Sequence, residues 1–154
     1  MPTLSRSIDV ELPIAEVWNL WTDVRILPQL SSSTTEVLDA PERLTEVGQT
    51  FRQVVRAVGR CFEVDWTVRS IAPEDHLTIE GSPGMGVRPT LTERVEPLSP
   101  TRTRLTIDVD YSLPFGPLGR LASKLGVVQL ARRETDEILE RLKALLESKP
   151  AAAR

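Results

Sequence analysis

Residues Cys61-Phe62-Glu63-Val64-Asp65-Trp66-Thr67-Val68-Arg69-Ser70-Ile71 decide the fold, because their side chains alternate in character with a period of two. Phe62, Val64, Trp66 and Val68 point one way, while Glu63, Asp65, Thr67 and Arg69 point the other. A strand of this kind has one dry and one wet face. Residues 102–111 repeat the pattern, with Leu105, Ile107, Val109 and Tyr111 set against Arg104, Thr106, Asp108 and Asp110. Working outward, the same period predicts strands over 35–40, 50–58, 76–81 and 87–96. Turn-forming stretches separate them: Ala40-Pro41-Glu42, Val58-Gly59-Arg60, Pro73-Glu74-Asp75, Gly81-Ser82-Pro83-Gly84 and Pro97-Leu98-Ser99-Pro100. Links this short favour antiparallel neighbours.

Both ends of the chain frame this meander. Leu4, Ile8, Val10 and Leu12 share one side of an N-terminal strand, interrupted only by Arg6, and Pro13 ends it. Ile14, Val17, Trp18 and Trp21 then recur at helical spacing over 14–22, and a second short turn, 24–30, is limited by Pro28. Beyond Pro117, an apolar stripe through Leu118, Leu121, Leu125, Val128, Thr135, Ile138, Leu142 and Leu145 predicts one long helix reaching about Ser148. One helix must then cover the dry face of a sheet of about seven strands, so the sheet has to twist and curl around it. The expected class is α+β: a single domain over 1–148, with residues 149–154 a frayed tail.

Composition narrows function. The chain has 154 residues, enough for one real core. Its net charge of -3, from 19 basic and 22 acidic residues, has no basic block of the kind that nucleic acid requires. A single cysteine, Cys61, excludes an internal disulfide and suits a reducing compartment, and at the start of a strand it is expected to be a small buried residue. One Cys and one His, His76, make no zinc cluster. The N-terminus lacks the basic and apolar regions of a secretory signal, and no apolar run approaches the roughly 20 residues of a membrane span. A cytoplasmic protein without metal or cofactor is expected.

Several pieces in order resemble the START-like (SRPBCC) superfamily, in particular its polyketide cyclase/dehydrase and lipid-transport branch. They are Ser7-Ile8-Asp9-Val10 leading to Pro13-Ile14-Ala15-Glu16-Val17-Trp18, then Asp23, Leu27-Pro28, Val47-Gly48-Gln49-Thr50-Phe51 and Trp66-Thr67-Val68. Thr103-Arg104-Leu105-Thr106, Leu118-Gly119 and Leu142-Lys143-Ala144-Leu145-Leu146-Glu147 complete the match over nearly the whole chain. Leu30 departs from it, standing where relatives often carry an aromatic. The resemblance implies a helix-grip fold with a cavity between sheet and C-terminal helix. Members bind lipids, sterols, polyketides, plant hormones or quinones, and a minority catalyse cyclisation or dehydration.

The expected lining of such a cavity is Trp18, Phe62, Val64, Trp66, Val68, Leu77, Ile79, Leu91, Ile107, Val109, Leu121, Leu125 and Val128, all of which would equally pack a solid core. Three polar residues fall in phase with it. Glu93 follows Leu91 and precedes Val95, so its carboxylate needs a partner or a raised pKa. Tyr111 offers a phenol at the end of an apolar strand face, and Gln53 sits in phase with Phe51 and Val55. Glu93 and Tyr111 are the candidates for a catalytic role. Arg56 and Arg69 belong to exposed positions, and His76, beside a turn, is read as solvated.

Pro83-Gly84-Met85-Gly86-Val87 and Pro114-Phe115-Gly116-Pro117-Leu118 have the composition of loops that gate a pocket. The apolar surface spread over Leu118–Leu130 would suit a ligand on one side and a second copy or a membrane on the other. Three functions follow from these readings: carriage of a hydrophobic small molecule, a cyclase or dehydrase using a few cavity polar groups, and a protein-interaction module. The dryness of the lining favours the first.

Overall fold

The computed structural model describes residues 4–57, 59–82, 88–112 and 117–147, the side chains of 57 and 111–131 excepted. The chain runs β1 (Leu4–Val10), α1 (Ile14–Trp21), a 3-10 turn (Val24–Ile26), α2 (Leu27–Leu30) and β2 (Thr34–Leu38). It continues β3 (Thr50–Ala57), β4 (Arg60–Ala72), β5 (His76–Ser82), β6 (Arg88–Ser99), β7 (Arg102–Ser112) and α3 (Pro117–Glu147). One antiparallel sheet holds all seven strands in the order β1-β7-β6-β5-β4-β3-β2. Since β1 and β2 lie at opposite edges, α1, the 3-10 turn and α2 carry the chain across the width of the sheet.

Local chemistry sets these boundaries. Pro13 holds an extended backbone before α1, which buries Val17, Trp18 and Trp21. The Asp23 carboxylate accepts from the Arg25 N–H and so starts the 3-10 turn, and Pro28 occupies the first turn of α2, where its missing N–H costs nothing. Strand limits agree with the alternation to within two residues except in β6, which runs three residues past its predicted end. A register shift between Pro97 and Ser99 absorbs the proline without ending the strand. A second shift, between Val68 and Ser70, turns both Arg69 and Ser70 to the outer face and returns Ile71 to the inner one opposite Leu77. Such bulges bend a strand, which a sheet wrapping a helix needs.

The second half of α3 lies against β1 and α2. Its buried line is Thr135, Leu139, Leu142 and Leu146, with Ile138 and Leu145 flanking it. The predicted stripe shares Thr135 and Leu142 with this line and takes the flank at Ile138 and Leu145, on the edge of the buried face. Polar contacts hold the helix in place: Arg6 Nε donates to Asp136 at 3.1 Å, and Lys143 Nζ to the Asp9 carbonyl at 2.9 Å. From the segment after α2, Ser31 Oγ donates to Glu134 at 2.8 Å and Ser32 Oγ to Glu137 at 2.9 Å. The Ser32 N–H, foremost, holds the Glu137 carboxyl below its ordinary value. Arg6, the exception on the dry side of β1, is thus an ion-pair anchor for α3.

Candidate functional site

Cross-strand partners in an antiparallel sheet project to the same face, so the register resolves the inner face into rows. One row is Val68, Ile79, Leu91, Val109 and Leu4, from β4 to β1. The next is Ile71, Leu77, Glu93, Ile107 and Arg6. On the other side of the first lies the row Phe51, Trp66 and Gly81. Phe51 and Trp66 stack with ring centroids 6.4 Å apart. A Cβ on Gly81 would come within 2.9 Å of the Trp66 ring and 3.0 Å of Pro89, so glycine there lets the indole lie across β5.

Two buried polar side chains of this face differ in how they are satisfied. Gln53 is closed on itself: its Nε2 donates to Thr34 Oγ1 at 2.7 Å, and its Oε1 accepts from Trp66 Nε1 at 2.8 Å. All three residues are buried. Glu93, 6% exposed, stands between Leu77 and Ile107, which offer no hydrogen bond. Burial pushes its carboxyl up to about 8, with Trp21 partly opposing the rise. The Trp21 Nε1–H approaches Glu93 from α1 but completes no hydrogen bond, although Trp21 is only 8% exposed. At neutral pH Glu93 is therefore a carboxylic acid, able to donate as well as to accept.

Of the other residues predicted to line a cavity, Trp18, Val68, Leu77, Ile79, Ile107 and Val109 are buried, and Phe62, Val64 and Leu91 are half-buried. The side chains of Tyr111, Leu121, Leu125 and Val128 fall outside the described residues, as does the apolar spread over the first half of α3. The same holds for residues 83–87 and 113–116, and with them most of both predicted gating loops. Arg56 and Arg69 are exposed as expected.

Cys61 is exposed, which corrects the buried expectation. It pairs with Arg56 and shares its phase with Glu63 and Asp65 on the wet side of β4, so the alternation overrides its small, apolar character. His76 is also held more firmly than a turn histidine. Its Nδ1 lies 2.7 Å from Asp75 Oδ2 and its Nε2 2.8 Å from Ser70 Oγ. The group sits on the outer face, created there by the β4 bulge, and Asp75 is largely open to water.

Two residues of the site have no distinct signal in the sequence. Trp21 is legible only as a member of the α1 stripe, and Thr34 only as part of a polar link. Their spacing fixes a face but not the strand that the face meets. Among the described residues, no helix is long and apolar enough to cross a membrane, and no three His, Cys, Asp or Glu side chains gather as metal ligands.

A family model described as polyketide cyclase / dehydrase and lipid transport matches residues 1–147. Among solved structures, the chain is similar to the Zhui aromatase/cyclase from a Streptomyces species, with TM-score 0.77 and 17% identity over 97% of this chain and 96% of that one. It is similar to a START superfamily protein from Mycobacterium smegmatis, with TM-score 0.69 and 19% identity over 94% and 96%. A Thermus thermophilus protein gives TM-score 0.74 and 19% identity over 95% and 99%. At such identities the likeness shows the fold alone, the helix-grip arrangement. A search of curated proteins gives no significant match.

Proposed function

The chain belongs to the polyketide cyclase/dehydrase and lipid-transport family, and from that premise we propose that it binds a hydrophobic small molecule between the inner face of the sheet and α3. One observation carries this reading: across the three inner rows, from β4 to β7, Glu93 is the single polar interruption among the described side chains. A surface of that kind gains affinity from the apolar area it covers, roughly 25 cal/mol per Å² before the costs of association. It offers little of the paired acid and base chemistry that moves protons during a cyclisation.

The test is direct. Native mass spectrometry of the purified protein is expected to show a co-purified apolar metabolite, and diphenylhexatriene, a hydrocarbon fluorophore, is expected to brighten on uptake. Protein that arrives empty and leaves the fluorophore dark would sink the proposal.

A cyclase or dehydrase is the second reading, favoured by Glu93, since a neutral buried acid can protonate a carbonyl oxygen. Turnover of a polyketide chain that disappears in Glu93→Leu would move the assignment there. The exposed Cys61 thiol, the chain's single cysteine, suits a reducing compartment and supports a cytoplasmic setting.

A further inference from the structure

Glu93 and Trp21 present an unusual juxtaposition. Each is more than nine-tenths buried, they come from different elements, and the indole N–H and the carboxyl face each other without completing a hydrogen bond. Leaving a buried donor unpaired costs about 1–3 kcal/mol, and a buried carboxyl more if charged. The surrounding side chains cannot relieve this, because Leu77 and Ile107 flank Glu93 across the sheet and Leu91 and Val95 flank it along β6. Both groups are thus available to something that the fold itself does not supply.

We infer that Glu93 and Trp21 together seat an uncharged carbonyl oxygen of the bound molecule, so that the ligand class is an apolar ketone, quinone or ester rather than a plain hydrocarbon or a carboxylate. The inference rests on the binding reading above. A carbonyl oxygen has two lone pairs and accepts the Glu93 O–H and the Trp21 N–H at once. A carboxylate would bring an unpaired charge into a dry site at high cost.

The acid-donating form sets the pH dependence. With its carboxyl near 8, Glu93 is protonated below that value and repels a carbonyl above it. Facing charges do not complicate this. Arg6 ends the same row two strands away, where it is paired with Asp136. Asp75 in the turn before β5, His76 on β5, Arg94 on β6 itself and Asp108 on β7 are engaged on the outer face. Burial and Trp21 are the influences on its titration.

The experiment compares two fluorophores on the full chain. Prodan, a naphthalene ketone whose emission moves to the red when its carbonyl accepts hydrogen bonds, reads the polar seat, and diphenylhexatriene reads apolar uptake alone. Between pH 6 and pH 9 Prodan affinity should fall about tenfold, as the neutral fraction of Glu93 falls, while the hydrocarbon is unaffected.

Glu93→Gln keeps a donor and should hold Prodan with no pH dependence. Trp21→Phe should weaken Prodan roughly three- to tenfold and shift its bound emission to the blue. Melting curves check that each variant is folded. Hydrocarbon uptake combined with pH-independent Prodan binding overturns this inference and leaves the binding reading standing, and so does Prodan binding that strengthens at high pH. The inference is equally overturned if Glu93→Leu takes up Prodan as well as the wild type does, as it would if a buried water filled the seat. Failure to take up either fluorophore overturns both.

Discussion

The Trp66 corner and the Trp21 corner are made of the same parts. Each sets an indole N–H against a buried side chain ending in an sp2 oxygen, Gln53 in one and Glu93 in the other. Gln53 lies on β3, next to the edge strand β2, from which Thr34 reaches its amide nitrogen. Every polar atom of that corner finds a partner, so its value is structural. Glu93 lies in the middle of the sheet between two aliphatic side chains, and the tryptophan that approaches it comes from α1. Saturation thus separates a polar group that holds the fold from one left over for a guest.

The widest separation between the corners should appear with pH. The folded chain keeps a proton on Glu93 up to about 8, whereas the unfolded chain releases it near the ordinary value of 4.5. Its stabilising share is therefore complete below about pH 4.5 and is lost as pH rises towards 8, by something on the order of 3–5 kcal/mol. Urea midpoints at pH 5 and pH 8 should show this fall in the wild type and a much flatter profile in Glu93→Gln. Equal slopes would abolish the distinction.

Next in size is Gln53→Leu, which strands the Trp66 N–H and the Thr34 hydroxyl and should cost about 2–3 kcal/mol. Glu93→Leu, which removes an unpaired group from a dry site, should cost nothing at pH 7 or raise stability. If the two variants lose stability alike by urea denaturation, the closed corner is no more structural than the open one. Gly81→Ala should cost about 1–2 kcal/mol by crowding the Trp66 ring, and tryptophan fluorescence should report the displaced indole. The finest comparison pairs Trp66→Phe with Trp21→Phe. The first should cost about 1 kcal/mol more, because it alone breaks a made hydrogen bond.

Much of this architecture is legible in the chain. Period-two alternation places the strands, and it also puts Gln53 and Glu93 in phase with apolar neighbours before any contact is known. Alternation is silent about partners, since Thr34 and Trp21 arrive from elements whose position depends on how the chain crosses the sheet. It also assumes an unbroken count. The extra residue at Arg69–Ser70 breaks that count and gathers Ser70, His76 and Asp75 on the outer face. At Cys61 residue type and strand phase point opposite ways, and phase decides. In α3 the spacing identifies a helix and its approximate face, but the packing of β1 and α2 selects which of two adjacent lines is buried.

The placement of β1 beside β7 has a consequence for how the molecule assembles. Strands β3 to β7 are joined as successive hairpins, so each pairing closes a short loop. Leu4 must instead find Val109 and Val10 must find Thr103, across most of the chain. Loop-closure entropy makes β1 the costliest strand to add and raises the contact order of the whole fold. The sheet's first strand in sequence is on these grounds the last to be secured in time, arriving with the helix whose ion pair and carbonyl contact it supplies.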